Sequence, residues 1–404
     1  MISIMPKIVT DNIKIESLLS RGTEEVIEIE HLKERLLSGE RLRVKFGIDP
    51  TGTVLHFGHS LPLRKMQQFL DLGHEVVLLI GDFTATIGDP SGRLEERSSL
   101  SREEVKKNMK EYLKQASRVL NIKKTEIRYN SEWYDKKKAK FFMELASRFT
   151  YARLMDRAEF KERIKSGGDI TLLELTYPLL QGYDSVELKA DVEIGGTDQK
   201  FNLLMGRKVQ KRYNMREQDI MTIPLLVGTD GVKKMSKTYG NYIALTDSAT
   251  DMFAKIMSIP DSLVSDYLAL LTNLPLDEIK KEQKLAGSDV LESKKKLAQN
   301  ITEQFWGAQK TQEVKNEFDR VFSHHELPQE IEEIKVAIGK KNIVDLIFEA
   351  KIESSRGEIK RLIEQGAVKV NDKTIDSWNE EINIGGQGVL IKIGPRRFYK
   401  IKTN

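Results

Sequence analysis

The stretch between residues 42 and 81 restricts the fold most. Leu42-Arg43-Val44-Lys45-Phe46-Gly47-Ile48 alternates like a strand, and Asp49-Pro50-Thr51-Gly52 is turn material. From about Ser60 the pattern turns helical. Pro62 suits a first turn, Leu63, Met66, Phe69 and Leu70 share one face, and Gly73 ends the run. Val76-Val77-Leu78-Leu79-Ile80-Gly81 is unbroken apolar sequence, as expected of a parallel strand covered on both faces. Strand, helix and strand in this order make a βαβ unit. Open sheets built this way bind ligands at the carboxyl edge of their strands. The first strand-to-helix loop carries His56-Phe57-Gly58-His59.

Upstream, residues 1–40 read as polar helix with an irregular stripe of Leu18, Leu19, Val26, Ile29 and Leu32. Downstream, 100–125 and 140–165 read as charged amphipathic helices. Asp191–Gly196 reads as a strand ending in a glycine loop, and Ile223–Val227 as a further strand. The expected fold is α/β: a Rossmann-like parallel-sheet domain over 1–244 and an all-α domain over 245–322. A polar linker follows at 323–340, then a small α+β domain at 341–404.

There are no cysteines, which excludes disulfides, thiolate zinc sites and cysteine nucleophiles. The first seven residues hold no apolar stretch of signal-peptide length, and no apolar run approaches the roughly 18 residues of a membrane span. A cytoplasmic protein is the expectation. Net charge of +4 permits nucleic acid without requiring it.

His56 and His59 stand at i and i+3 at the head of a helix, whose free N–H groups and partial positive end favour phosphate. Gly58 removes a side chain between them. Two cap histidines would read the same way, and a metal site lacks a third ligand at suitable spacing. Lys233, Lys234 and Lys237, with Met235 and Ser236, form a cationic loop bracketed by Gly231 and Gly240. Such a loop can close on a triphosphate, although a solvated basic turn looks alike. The segment after the second strand, 81–93, lies at the same sheet edge. There Asp89 could receive an ammonium group, and Arg93 and Arg97 could reach a pyrophosphate. Tyr177, Gln181 and Asp184, at i, i+4 and i+7, share one helical stripe, and Pro178 is expected to kink that helix. Gly195-Gly196-Thr197-Asp198-Gln199 is a glycine turn opening a helix, where Asp198 could meet a ribose or simply cap the helix. Residues 341–404 carry twelve Lys/Arg against nine Asp/Glu. Arg356, Lys360 and Arg361 share a side of one helix, which suits phosphate-backbone contact or a solvated face.

Taken jointly, these motifs resemble the class I aminoacyl-tRNA synthetases, and over essentially the whole chain those of the bacterial tyrosyl type. His56-Phe57-Gly58-His59 is similar to that family's His-x-Gly-His signature. Lys234-Met235-Ser236-Lys237-Thr238 is similar to its Lys-Met-Ser-Lys-Ser signature, with threonine last. Residues 177–184 and 195–199 resemble its tyrosine and adenylate motifs. The sister tryptophan enzymes usually carry asparagine for the second histidine and lack the last domain. That domain resembles an RNA-binding fold shared with a ribosomal small-subunit protein.

The resemblance implies activation of L-tyrosine by ATP, with Mg2+, and transfer of tyrosyl to tRNA(Tyr) by a homodimer. It implies no protein-bound metal and no membrane partner. His56, His59, Lys234 and Lys237 would hold the triphosphate, with Arg93 and Arg97 assisting departure of pyrophosphate. Asp49, Thr51, Gly58, Gly196, Asp198, Met235 and Ser236 would bind the nucleotide. Thr84, Asp89, Tyr177, Gln181 and Gln199 would hold the amino acid, and Asp184 would accept from its phenolic hydroxyl. Arg356, Lys360 and Arg361 would contact RNA. One position departs: where the better-known branch carries a tyrosine that helps hold the phenol, this chain has Lys45, so the phenol's second hydrogen bond is unassigned. Two other classes share part of the pattern. Nucleotidyltransferases that adenylylate small acids or phosphates carry the His-x-Gly-His word, and an RNA-binding relic of a synthetase could keep the tail.

Overall fold

The structure is a computed structural model that describes residues 7–91, 100–282, 288–323, 331–386, 388–394 and 397–403. It divides into two compact units, Met1–Gln312 and Glu313–Asn404.

The first unit is built on a six-stranded sheet. Its strands are β1 (Glu25–Ile27), β2 (Arg43–Ile48), β3 (Glu75–Ile80), β4 (Glu126–Tyr129), β5 (Val192–Gly196) and β6 (Asp219–Ile223). The spatial order is β1-β6-β5-β2-β3-β4, with only β1 antiparallel to its neighbour. From β2 the chain winds outward to β3 and β4, then returns to place β5 on the other side of β2. The direction of winding therefore switches between β2 and β5, and that crevice is where a ligand fits. Val76 to Ile80 are all buried, as the unbroken apolar run requires.

Several elements differ in extent from the sequence reading. The first helix of the βαβ unit spans Phe57–Asp71, three residues earlier than expected. His56 is its N-cap, and the His56 peptide N–H donates to His59 Nδ1 at 3.2 Å, which starts the helix before Pro62 is reached. Pro62 consequently lies one turn deeper than a first-turn proline. Residues 12–38 form helix Asn12–Ser20, strand β1 and helix Ile29–Ser38 rather than one helix. Over 140–165 there are three short helices, Ala139–Ser147, Tyr151–Leu154 and Ala158–Lys165. The last strand is β6 rather than 223–227, since Pro224 has no N–H to offer a ladder. Helix Leu172–Leu188 runs without interruption through Pro178.

The helices Ala249–Met257, Val264–Leu271 and Leu276–Glu282 also belong to this unit. Arg21 fastens them: its guanidinium donates to the carbonyls of Ala269, Thr272 and Leu274. The Phe57 ring stacks on Phe305, from the helix Ser288–Phe318 that follows them, with 5.8 Å between centroids.

The second unit packs helices Ile343–Glu349 and Arg356–Glu364 with a five-stranded sheet over a core that includes Ile343, Leu346, Ile347, Ile359, Ile391 and Ile401. Its strand Glu332–Val336, inside the stretch read as linker, runs parallel to Arg397–Thr403. Val336 is buried in that core, which explains why the segment is ordered as a strand.

Candidate active site

One cavity of about 830 Å³ opens at the carboxyl ends of β2 and β5. Its floor is Phe46 to Asp49 and Ile194 to Gly196, the strand switch itself. His56, Gly58 and His59 form one wall. Lys234, Met235 and Ser236 form another, and Thr84, Asp89, Tyr177, Gln181, Asp184, Asp198 and Gln199 complete it.

The histidine wall and the lysine loop are tied together by backbone. Phe57 N–H donates to the Ile243 carbonyl and Leu245 N–H to the Leu55 carbonyl, so the segment following the lysine loop pairs with the helix entrance. The loop itself is pinned by Met235 N–H to the Leu226 carbonyl and Ser236 N–H to Asn241 Oδ1. Lys237 reaches the turn after β2: a Cβ on Gly52 would stand 2.5 Å from its Nζ. Gly52 therefore leaves room for that cation.

The two imidazoles lie 3.9 Å apart between ring centroids. Burial, reinforced by Lys237, pushes the His56 imidazole down to about 4 and holds His59 well below the usual histidine range. Both rings are neutral at pH 7. Because His59 Nδ1 accepts from the His56 peptide, its proton resides on Nε2, which makes that atom a donor. Among the described residues, His56 Nδ1 is buried with no hydrogen-bond partner. Lys234 Nζ lies 3.1 Å from Asp198 Oδ2, so the cationic loop already touches the residue expected at the ribose.

At the other end, Asp184 is 3% exposed and held from behind by Trp133 Nε1 at 3.0 Å and Asn130 Nδ2 at 3.4 Å. Burial is the dominant influence and raises its carboxyl to about 7, against the opposing pull of Lys45 and of these hydrogen bonds. Between the two ends, Asp49 joins Tyr177 and Thr84: Tyr177 OH donates to Oδ2 at 2.9 Å and Thr84 Oγ1 to Oδ1 at 2.8 Å. Burial keeps the Tyr177 phenol protonated, well above its ordinary value. Gly81 is required here, because a Cβ would stand 2.0 Å from Asp49 Oδ1 and 2.4 Å from Thr84 Oγ1. Asp89 is held by Gln199 Nε2 at 2.7 Å and by the Ser91 N–H and hydroxyl.

The sequence-derived residues thus converge, with exceptions. Thr51 and Lys237 are not part of the cavity wall, although the Lys237 charge acts on both imidazoles. Arg93 and Arg97 lie outside the described residues. In the second unit, Arg356, Lys360 and Arg361 are exposed. Arg356 pairs with Asp345 at 3.0 Å, Arg361 with Glu358 at 2.7 Å, and Lys360 lies over the Trp378 ring. Sequence reading missed Asn130 and Trp133, for which an Asn-x-x-Trp step just after a strand was the only signal. It also missed Ser91, Asn202 and Arg157, which back Asp89 as one buried network.

A parallel sheet carrying neutral imidazoles, a lysine loop and an acidic amino-acid pocket in a single crevice defines an adenylating enzyme of class I type. The chain belongs to the family described as tRNA synthetases class I (W and Y), whose model matches residues 37–323, and residues 324–401 match the tyrosine–tRNA ligase SYY-like C-terminal domain. Tyrosine–tRNA ligase of Thermotoga maritima is 44% identical over 387 residues, covering 95% of this chain and 96% of its own. That of Carboxydothermus hydrogenoformans is 45% identical over 396 residues, covering 95% and 96%. The fold is shared with a C-terminally truncated mitochondrial tyrosyl-tRNA synthetase of Aspergillus nidulans (TM-score 0.64, 24% identity, 76% of this chain and 94% of that one). It is also shared with a tyrosyl-tRNA synthetase of Archaeoglobus fulgidus complexed with L-tyrosine (TM-score 0.61, 20% identity, 76% and 100%).

Proposed function

We propose that this chain is a tyrosine–tRNA ligase: it converts L-tyrosine and ATP to tyrosyl-adenylate and pyrophosphate, then esterifies the terminal ribose of tRNA(Tyr). The observation that carries this reading is the single cavity with Asp184 at one end and the His59–Lys234 walls at the other. It matches an amino acid bearing a hydroxyl on its far end and a nucleotide on its near end.

In the first step the tyrosine carboxylate attacks the α-phosphorus, and the bond to the pyrophosphate oxygen breaks. The nucleophile is already ionised, so no general base is needed, and catalysis reduces to positioning and charge stabilisation. Asp184 accepts from the phenolic hydroxyl. Asp89, Tyr177 and Gln181 surround the ammonium group, with Thr84 beside them, and Gln199 lies near the carboxylate. His56 and His59 donate to phosphate oxygens as neutral rings, and Lys234 and Lys237 neutralise charge on the β and γ phosphates. Asp198 exchanges Lys234 for a ribose hydroxyl, while Gly58, Gly196, Met235 and Ser236 line the nucleotide and Asp49 and Thr51 stand near it. Arg93 and Arg97 assist the leaving pyrophosphate. In the second step a ribose hydroxyl attacks the activated carbonyl and AMP departs. Mg2+ enters with ATP as part of the substrate, as is usual for a cation that keeps its waters and binds through phosphates. Among the described residues no cluster of three His, Asp or Glu could hold a metal.

ATP–pyrophosphate exchange with each amino acid in turn tests the reading. Tyrosine alone is expected to stimulate it, and stimulation by tryptophan or by none would refute it. Arg356, Lys360 and Arg361 are read as contacts to the RNA backbone. Removing 324–404, so that the strand Glu332–Val336 leaves with its sheet, is expected to keep exchange within about threefold and to lower tRNA charging at least about tenfold, as loss of several phosphate contacts would. Equal charging by the truncated chain, measured with radiolabelled tyrosine, would count against the contact role. A homodimer is what the family resemblance implies for this chain. No helix among the described residues is long and apolar enough to cross a membrane, and the reading implies a cytoplasmic enzyme.

A further inference from the structure

A second charge system, with no part in the proposed reaction, stands against the helix Leu172–Leu188. Lys45 is 0% exposed and Glu193 1%, and Lys45 Nζ stands 2.9 Å from Glu193 Oε1. The two residues are register partners on β2 and β5, directly across the strand switch. Lys45 Nζ also donates to the Gln181 carbonyl at 3.0 Å and to Ser185 Oγ at 2.9 Å, which commits all three of its protons. Glu193 accepts in turn from Gln181 Nε2 at 3.2 Å, from Ser185 Oγ at 3.1 Å and from Gln218 Nε2.

Two charges in the interior are a poor route to stability, because well-packed apolar residues of the same volume commonly serve as well or better. Placement explains this pair better. Apart from Gln218, every side chain it engages lies on helix Leu172–Leu188, which carries Tyr177, Gln181 and Asp184. We propose that Lys45 and Glu193 are the positioning pair of the amino-acid pocket: Lys45 is the counter-charge that fits Asp184 to accept the phenolic hydroxyl, and Glu193 fixes the Gln181 amide. This rests on tyrosine being the substrate. It also accounts for a lysine at a position from which no proton remains to reach the phenol directly.

The groups facing Asp184 are Lys45 from β2, Asn130, Trp133 and Tyr134 from the segment after β4, and Tyr177 from its own helix. Asp49 and Asp89 act on Tyr177 from the cavity side. Lys45 is the cation among them and opposes the upward push that burial exerts on Asp184.

The test uses the full chain and the pH dependence of tyrosine KM and kcat in pyrophosphate exchange. For Lys45→Met, the pH below which KM rises is expected to move up by about one unit or more. KM at pH 7 should grow about tenfold per unit moved, with kcat changed less than about threefold. For Glu193→Gln, which leaves the cation unopposed, that pH should move down. The second variant keeps the shape of the site, so it decides the matter even if Lys45→Met does not fold. Wild-type exchange with tyrosine and an unmoved limb in Glu193→Gln overturns this inference alone. Absence of tyrosine-dependent exchange in the wild-type chain overturns it together with the functional reading.

Discussion

Alanine at Asp184 is expected to lower kcat/KM for tyrosine in pyrophosphate exchange by about 10²–10³-fold, an effect of roughly 3–4 kcal/mol. Two contributions add. The substrate hydroxyl loses a charged acceptor in a water-poor pocket, and the Trp133 Nε1 donor is left without its acceptor, while Asn130 keeps only its bond to Thr84 Oγ1. Phenylalanine, which offers no hydroxyl, should gain relative to tyrosine in the variant. Unchanged kcat/KM and unchanged discrimination would show that the phenol is held elsewhere.

The same carboxyl is expected to make tyrosine binding pH-dependent. In the folded chain burial raises Asp184 from 3.8 to about 7. A carboxyl raised on folding contributes stability that is present below its unfolded value and lost as pH climbs through the folded one. This group's share of stability therefore declines between about pH 4 and 7. Substrate affinity runs the other way, since the ionised form is the better acceptor. Tyrosine KM should rise as pH falls below about 7, and a flat profile would contradict the burial of this group.

Alanine at Lys234 is expected to slow adenylate formation by about 10²–10³-fold in single-turnover measurements while tyrosine affinity changes less than about threefold. Lys234 reaches Asp198, the residue expected at the ribose, from the loop. Its cation matters as charge builds on the departing phosphates. Removing it also frees Asp198, so ATP binding before chemistry should weaken far less than the rate. Equal losses in rate and in tyrosine affinity would instead mark a structural role.

Much of this arrangement was legible from local pattern. The apolar run at 76–81 demanded a doubly covered parallel strand, and the loop before helix Phe57–Asp71 therefore had to open at the strand ends. Tyr177, Gln181 and Asp184 share a stripe because a helix repeats every 3.6 residues, and the cavity wall contains all three. Where the reading slipped, a local competitor decided. The His56 cap set the helix start, and Pro224 ended a strand whose apolar pattern runs on to Val227. The partners of Asp184 and Asp89 left almost no trace, because Asn130, Trp133, Arg157 and Asn202 are ordinary residues until the fold brings them there.

Periodicity and short motifs are properties of neighbouring residues, so the chain alone determined most of the strands and helices and which loops meet at the strand ends. Tertiary structure alone decided the electrostatics. Whether Asp184 is ionised, whether the imidazoles are neutral, and what Lys45 is for depend on water exclusion and on charges contributed from distant strands. Coulombic and desolvation effects act through space, and no spacing along the sequence encodes those distances.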